Sequence, residues 1–273
     1  VIIQQPVYDP FAELIKKTGR VMVNNGLICN DGLYEMDFPL LEEQAADPDA
    51  KIMILCSPHN PVGRVWTKEE LARVGEICKK NNVLVIADEI HSDLVYAGYA
   101  HTPFALASDA PHLLCTSLGK TFNVAGLRLA NIFSSSAELK KQYDQEIDAY
   151  SYSASNTFGL EMVQAAYSPE GEAWLEELLV YLQGNVEVVS EWCQKHNVGF
   201  TAPQGTFLCW LDLGSAGLTD EEIIKKIIMG KEVICVPGPW FGKGGEGHLR
   251  LNIGCTRKTL VEALDRIASV LNN

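Results

Sequence analysis

Lys120 lies in the run Ser117-Leu118-Gly119-Lys120-Thr121-Phe122-Asn123-Val124-Ala125-Gly126-Leu127-Arg128, directly after the apolar stretch His112-Leu113-Leu114-Cys115-Thr116. A surface lysine rarely sits at a strand end among small and hydroxylic residues with an arginine eight positions on. An amine in such a place can hold an aldehyde as a Schiff base, provided burial or a neighbouring cation lowers its pKa. Four other polar residues stand out beside apolar runs. Asn60 lies in Ser57-Pro58-His59-Asn60-Pro61-Val62-Gly63, Asp88 and His91 lie in Asp88-Glu89-Ile90-His91, and Arg250 interrupts an otherwise apolar stretch, His248-Leu249-Arg250-Leu251-Asn252-Ile253.

The elements that must position these groups follow from the pattern of apolar residues. Lys51–Cys56 and Val83–Ala87 read as strands buried on both faces, which implies a parallel sheet covered by helices. Between them, Thr67 caps a helix through Lys80, with Glu70 completing a capping box. His112–Thr116 and Leu129–Phe133 continue the series, a doubly wound α/β pattern. After Ser134 the pattern changes. Residues 137–149, 155–167 and 170–196 read as helices, the last of them long. Phe207–Asp212, Val233–Val236 and His248–Ile253 read as strands, 219–229 as a helix, and Thr256 caps a final helix to the C-terminus. These divide the chain into a large α/β domain (1–168), a long interdomain helix (169–196) and a small α+β domain (197–273). In an open parallel sheet, ligands bind beyond the carboxyl ends of the strands, so the polar strand ends are expected to converge on one crevice.

One cofactor, pyridoxal phosphate, would use all of these groups. Its aldehyde needs Lys120, and its pyridine nitrogen stays protonated only beside a carboxylate, Asp88. Asn60 and His91 could donate to its phenolate oxygen. Ser117 and Arg128 supply a hydroxyl and a cation for its phosphate, with Thr116 as a rival to Ser117. Tyr8, in Pro6-Val7-Tyr8-Asp9-Pro10, could stack on its ring. Arg250 could bind a substrate carboxylate in bidentate fashion. Simpler readings exist: Glu89 as a structural carboxylate, His91 as a satisfied histidine, His59 as a loop-shaping residue, Tyr8 as a packing residue. Trp240 and Phe241 line a substrate entrance or belong to the core.

In these motifs the chain resembles the class I/II aminotransferase superfamily of pyridoxal-phosphate enzymes, fold type I. Ser117–Ala130 fits that family's lysine signature, and Asn60-Pro61-x-Gly63, Asp88 and Arg250 follow in its order and spacing. Ser57–Trp66 and Asp88–Leu94 resemble the cystathionine β-lyase branch, the carbon–sulfur lyases, and the resemblance runs from Tyr8 to the last helix. It implies a three-layer α/β/α, mostly parallel sheet with a smaller C-terminal α+β domain. It also implies β-elimination of cystathionine or a cysteine conjugate to thiol, pyruvate and ammonia. An aminotransferase uses the same residues, and a non-catalytic binding or regulatory protein on this fold is a third reading. Where the family commonly has tyrosine, this chain has His91. Family members carry an N-terminal arm, a first sheet strand and a Gly-rich phosphate loop that no segment here matches, so the chain reads as a C-terminal portion expected to hold cofactor weakly. A full-length member would be a homodimer.

Composition narrows the partners. The 273 residues carry 22 basic and 35 acidic side chains, a net charge of −13, which argues against nucleic acid and against an anionic membrane surface. A small anionic amino-acid substrate remains compatible through a local cationic pocket. No metal-ligand spacing is present. The eight cysteines lie mostly in apolar runs with no Cys-x-x-Cys pair, the pattern of thiols in a reducing cytoplasm. No apolar stretch reaches membrane-spanning length, and the first residues lack the basic start of a signal peptide.

Overall fold

A computed structural model describes residues 1–152 and 156–271. The chain divides into two compact units. The first comprises Val1–Ile2, Phe38–Pro58 and Val65–Leu179; the second comprises Ile3–Asp37, His59–Arg64 and Val180–Asn273.

In the first unit, Ile52–Cys56 lies between Ile2 and Leu84–Asp88 and runs parallel to both. Leu84–Asp88 in turn pairs in parallel with His112–Thr116. The strands form because their residues are almost all apolar, and Met53, Leu55, Val85 and Ala87, which share one face of the sheet, are fully buried. Helix Lys68–Lys80 provides the crossover between the first two long strands. It starts at the Thr67–Glu70 capping box, where Thr67 Oγ1 accepts from Glu70 N and Glu70 Oε2 accepts from Thr67 N. It packs through Leu71, Val74 and Cys78, spaced for one face of a helix.

The fourth long strand departs from the expected series. It spans Asn131–Ser134 and runs antiparallel to His112–Thr116, with Cys115 opposite Ile132. The connecting residues 117–130 hold only a four-residue helix, Leu118–Thr121, and a three-residue 3₁₀ turn, Ala125–Leu127. Neither is long enough to carry the chain back along the sheet, so it re-enters from the end it left. The sheet is therefore mostly parallel with one antiparallel edge. Helices Ala137–Ala149 and Thr157–Ala166 follow; residue 155, assigned to the latter from the sequence, lies outside the described residues.

The second unit contains an antiparallel sheet in the order Val236–Pro237, His248–Asn252, Leu208–Asp212, Gly199–Phe200. Arg250 sits opposite Trp210 on one side and Val236 on the other. The expected strand Val233–Val236 shrinks to Val236–Pro237. Its β-branched run has strand propensity but no neighbour to pair with, and Ile234 is 98% exposed. The expected helix 219–229 opens with a Thr219–Glu222 capping box and then widens to a π-helix over Ile223–Met229. Asn185, fully buried in the long helix Pro169–His196, ties that helix to the sheet end. Its Nδ2 donates to Ile253 O (2.9 Å) and Cys255 O (3.1 Å), and its Oδ1 accepts from Arg257 Nε (2.7 Å). No disulfide forms among the described residues, and none of their helices is long and apolar enough to cross a membrane.

Glu89 is the clearest structural carboxylate. It is 1% exposed and accepts from Phe104 N (2.7 Å) and His101 Nε2 (2.9 Å), pinning the segment His101–Phe104 to the end of a sheet strand. Glu89→Ala leaves the buried Phe104 N–H unpaired and is expected to cost about 2 to 3 kcal/mol. The shift of the urea midpoint measures this, and Glu89→Gln, which keeps an acceptor, should lose less.

Candidate active site

The parallel register brings the carboxyl ends of three strands to one level, with Cys56, Asp88 and Cys115 side by side. Pairing extends one step further through Ser57 N to Asp88 O (3.0 Å) and Glu89 N to Cys115 O (2.8 Å). Asp88 is therefore fixed at the end of a central strand, and its Oδ1 accepts from Ile90 N (3.3 Å). Burial pushes its carboxyl up to about 6, against the opposing pull of that N–H and of the Lys120 charge. Glu89 beside it pushes the same way as burial.

Lys120 sits on the short helix Leu118–Thr121, one turn beyond the neighbouring strand. Ser117 caps this helix by accepting from Gly119 N (3.0 Å), and Thr121 Oγ1 ties it to Asp93 Oδ2 (2.9 Å). The helix is held at both ends, while the Lys120 amine has no hydrogen bond or ion pair among the described residues. It is close enough to Asp88 for their charges to interact. A held backbone, an uncommitted amine and a nearby buried carboxylate together suit an aldehyde that also carries a basic ring nitrogen.

The remaining groups of this unit are placed as follows. The Ser117 hydroxyl directs its one proton to Leu129 O (2.7 Å), so an anion would have to draw that proton away. Thr116, its rival, accepts from Asn131 Nδ2 (3.4 Å) and keeps its own proton uncommitted among the described residues. Arg128 is exposed, in the left-handed backbone region at φ 49°, just after the 3₁₀ turn. It has no carboxylate partner among the described residues. His91 is buried in the turn beyond Asp88.

Tyr8, Asn60 and Arg250 belong to the second unit. The turn holding Asn60 is closed by His59 N to Arg64 O and Gly63 N to His59 O, both 2.8 Å. Gly63 is required at its end: φ is 71°, and an added Cβ would lie 2.4 Å from Pro203 Cβ. His59 shapes this region through a 2.9 Å bond between Nε2 and Pro6 O. Within this frame Arg250 Nη1 donates to Asn60 Oδ1 (3.0 Å). A guanidinium can only donate, so the amide must turn its oxygen inward and present its NH2 group elsewhere as a donor. The Arg250 guanidinium also stands 4.9 Å from the centre of the Phe241 ring. Desolvation lowers its pKa, and the neighbouring Tyr8 hydroxyl works in the opposite direction. No carboxylate pairs with Arg250 among the described residues. A partly buried cation without a counter-ion is costly, and a bound carboxylate would remove that cost.

Phe241 is core, at 3% exposure, whereas Trp240 is 63% exposed. The contacts that organise Phe241 escape sequence reading because their partners, Tyr34 and Trp210, lie far away along the chain. Leu208–Asp212 is an unbroken apolar run ending in Asp212, so nothing within it tells which face Trp210 occupies; its place on the same side as Arg250 follows from the register of the two strands.

A model of the class I and II aminotransferase family covers residues 1–267. The chain belongs to that family, whose enzymes depend on pyridoxal phosphate. It is 38% identical to cystathionine beta-lyase PatB of Bacillus subtilis over 277 residues, spanning all of this chain and 71% of that protein. Cystalysin of Treponema denticola, solved with pyridoxal 5'-phosphate, is 31% identical with a TM-score of 0.95. The match covers 99% of this chain and 70% of cystalysin. The PLP-bound C-S lyase of Staphylococcus hominis is 33% identical with a TM-score of 0.92, over 100% and 70% of the two chains.

The raised Asp88 pKa has a testable consequence for the cofactor-free protein. The folded state holds a proton on Asp88 up to about pH 6, whereas the unfolded chain releases it near the ordinary carboxylate value of 3.8. Between these values the native state binds more protons, so this contribution to stability falls as pH rises. Asp88→Asn should lack that slope and be more stable at pH 7 by on the order of 2 kcal/mol. Urea melts of both proteins between pH 4 and 7 check this.

Proposed function

We propose that this chain is a carbon–sulfur β-lyase that uses pyridoxal phosphate to cleave cystathionine or a related cysteine conjugate to thiol, pyruvate and ammonia. The observation that carries an amino-acid substrate is Arg250, a partly desolvated guanidinium bound to Asn60 and paired with no carboxylate among the described residues. An α-carboxylate of a small amino acid matches its planar donors.

The residues divide the work as follows. Lys120 would hold the cofactor aldehyde and, once the substrate amine has displaced it, take the Cα proton as general base. Asp88, ionised above about pH 6, would keep the pyridine nitrogen protonated, and that cation would in turn draw the Asp88 pKa down. Asn60, with its oxygen committed to Arg250, would donate to the phenolate oxygen through its amide NH2, and His91 is the second donor. Ser117 and Arg128 would hold the phosphate, and Tyr8 would face the ring. When bound, the cofactor supplies an electron sink for the pair left by Cα–H cleavage. Arg250 would fix the carboxylate so that this bond takes the orientation the sink requires.

The preference for elimination over amino transfer rests on Ser57–Trp66 and Asp88–Leu94 and on the names of the lyase relatives. We also propose a cytoplasmic homodimer, a compartment supported by eight cysteines without a disulfide among the described residues.

Holoenzyme incubated with cystathionine should release equal amounts of thiol and pyruvate without an added keto acid. Amino transfer that depends on a keto acid, with no thiol released, would overturn the lyase reading. Lys120→Ala should abolish both turnover and the visible absorbance of bound cofactor. Arg250→Ala should raise KM for cystathionine roughly 30- to 100-fold through loss of a charged hydrogen-bonding pair, measured in steady-state assays.

A further inference from the structure

We infer that Phe241 is a positioning residue for substrate recognition: its ring fixes the plane of the Arg250 guanidinium, so that the arginine meets an α-carboxylate already oriented. The inference rests on the reading of Arg250 as the carboxylate site.

Arg250 has two fixed contacts in this structure. Asn60 takes one N–H at 3.0 Å, and Phe241 lies under the guanidinium carbon at 4.9 Å. A single hydrogen bond leaves a guanidinium able to swing about it, whereas a ring against its face removes that freedom. Its desolvation strengthens the attraction, because water no longer competes with the ring.

The ring is itself buried and packed against a further aromatic side chain. Phe241 meets Trp210 edge to face, with centroids 5.2 Å apart and planes at 82°. Trp210 stacks on His248 at 4.8 Å and 12°, and its Nε1 donates to the Tyr34 hydroxyl at 3.0 Å. His248 Nδ1 lies 2.8 Å from Glu246 O, which fixes the imidazole as well. The Phe241 carbonyl also accepts from Val7 N (3.0 Å), adjacent to Tyr8, whose hydroxyl interacts with the Arg250 charge. One residue thus joins the arginine, the aromatic column behind it and the segment that carries Tyr8. Held arginine loses less rotamer freedom when the carboxylate arrives, and that saving appears as substrate affinity.

The test compares two ligands that differ only in the carboxylate, L-alanine and ethylamine, by calorimetric titration of the holoenzyme. Wild type should bind L-alanine far more tightly. Phe241→Leu should weaken L-alanine roughly 3- to 30-fold and leave ethylamine unchanged, and Phe241→Tyr should restore wild-type preference. Replacing Phe241 by 4-fluoro- and 3,4,5-trifluorophenylalanine withdraws charge from the ring face at nearly constant shape. The preference for L-alanine should fall stepwise across that series, a response that simple packing would not give. Equal weakening of both ligands, or no change with fluorination, overturns the role of Phe241. Absence of any preference in wild type overturns instead the carboxylate reading of Arg250.

Discussion

The register of three parallel strands is the constraint on which the chemistry of the first unit depends. Because Cys56, Asp88 and Cys115 are level, the residues that follow each strand emerge at one height. Backbone pairing continues just far enough to fix Asp88 and Glu89 before the chain turns. Two adjacent carboxylates then have opposite fates. Glu89 is consumed by an N–H and an imidazole, and Asp88 is left with one long backbone contact and a high proton affinity. A shift of one residue would exchange them, since successive side chains in a strand point to opposite faces.

The second unit solves a different problem, holding a cation without neutralising it. The protein as a whole is strongly acidic, yet Arg250 is kept from every carboxylate among the described residues. Neutral groups hold it instead: an amide oxygen and a ring face. Such groups position a charge and leave most of its field available to a ligand.

Much of this was legible in the sequence where the governing physics is local. The Thr67–Glu70 capping box requires only three residues, and Leu84–Asp88 declares itself by an unbroken apolar run. Asp88 stands out as a polar residue directly after such a run, and Asn60 and Lys120 as polar residues four positions beyond one. What failed was whatever depended on a partner. Val233–Val236 has the composition of a strand, but only Val236 finds a neighbour in Arg250. The direction of Asn131–Ser134 followed from the shortness of elements in the preceding connection, not from the strand's own residues. The Tyr34–Trp210 bond joins positions 176 residues apart, and no pattern within either segment announces it. His101 likewise carried no signal until Glu89 was seen to need a donor.

The Asn60–Arg250 bond also bears on how the protein ages. Asparagine slowly loses its amide when the next backbone nitrogen attacks the side chain, and the product is a carboxylate. At position 60 that product would lie 3.0 Å from a guanidinium and would form an internal ion pair, silencing a cation held open for a ligand. The next residue is Pro61, whose ring nitrogen carries no hydrogen and cannot enter that reaction. Pro61 thereby shields Asn60 against this form of chemical decay.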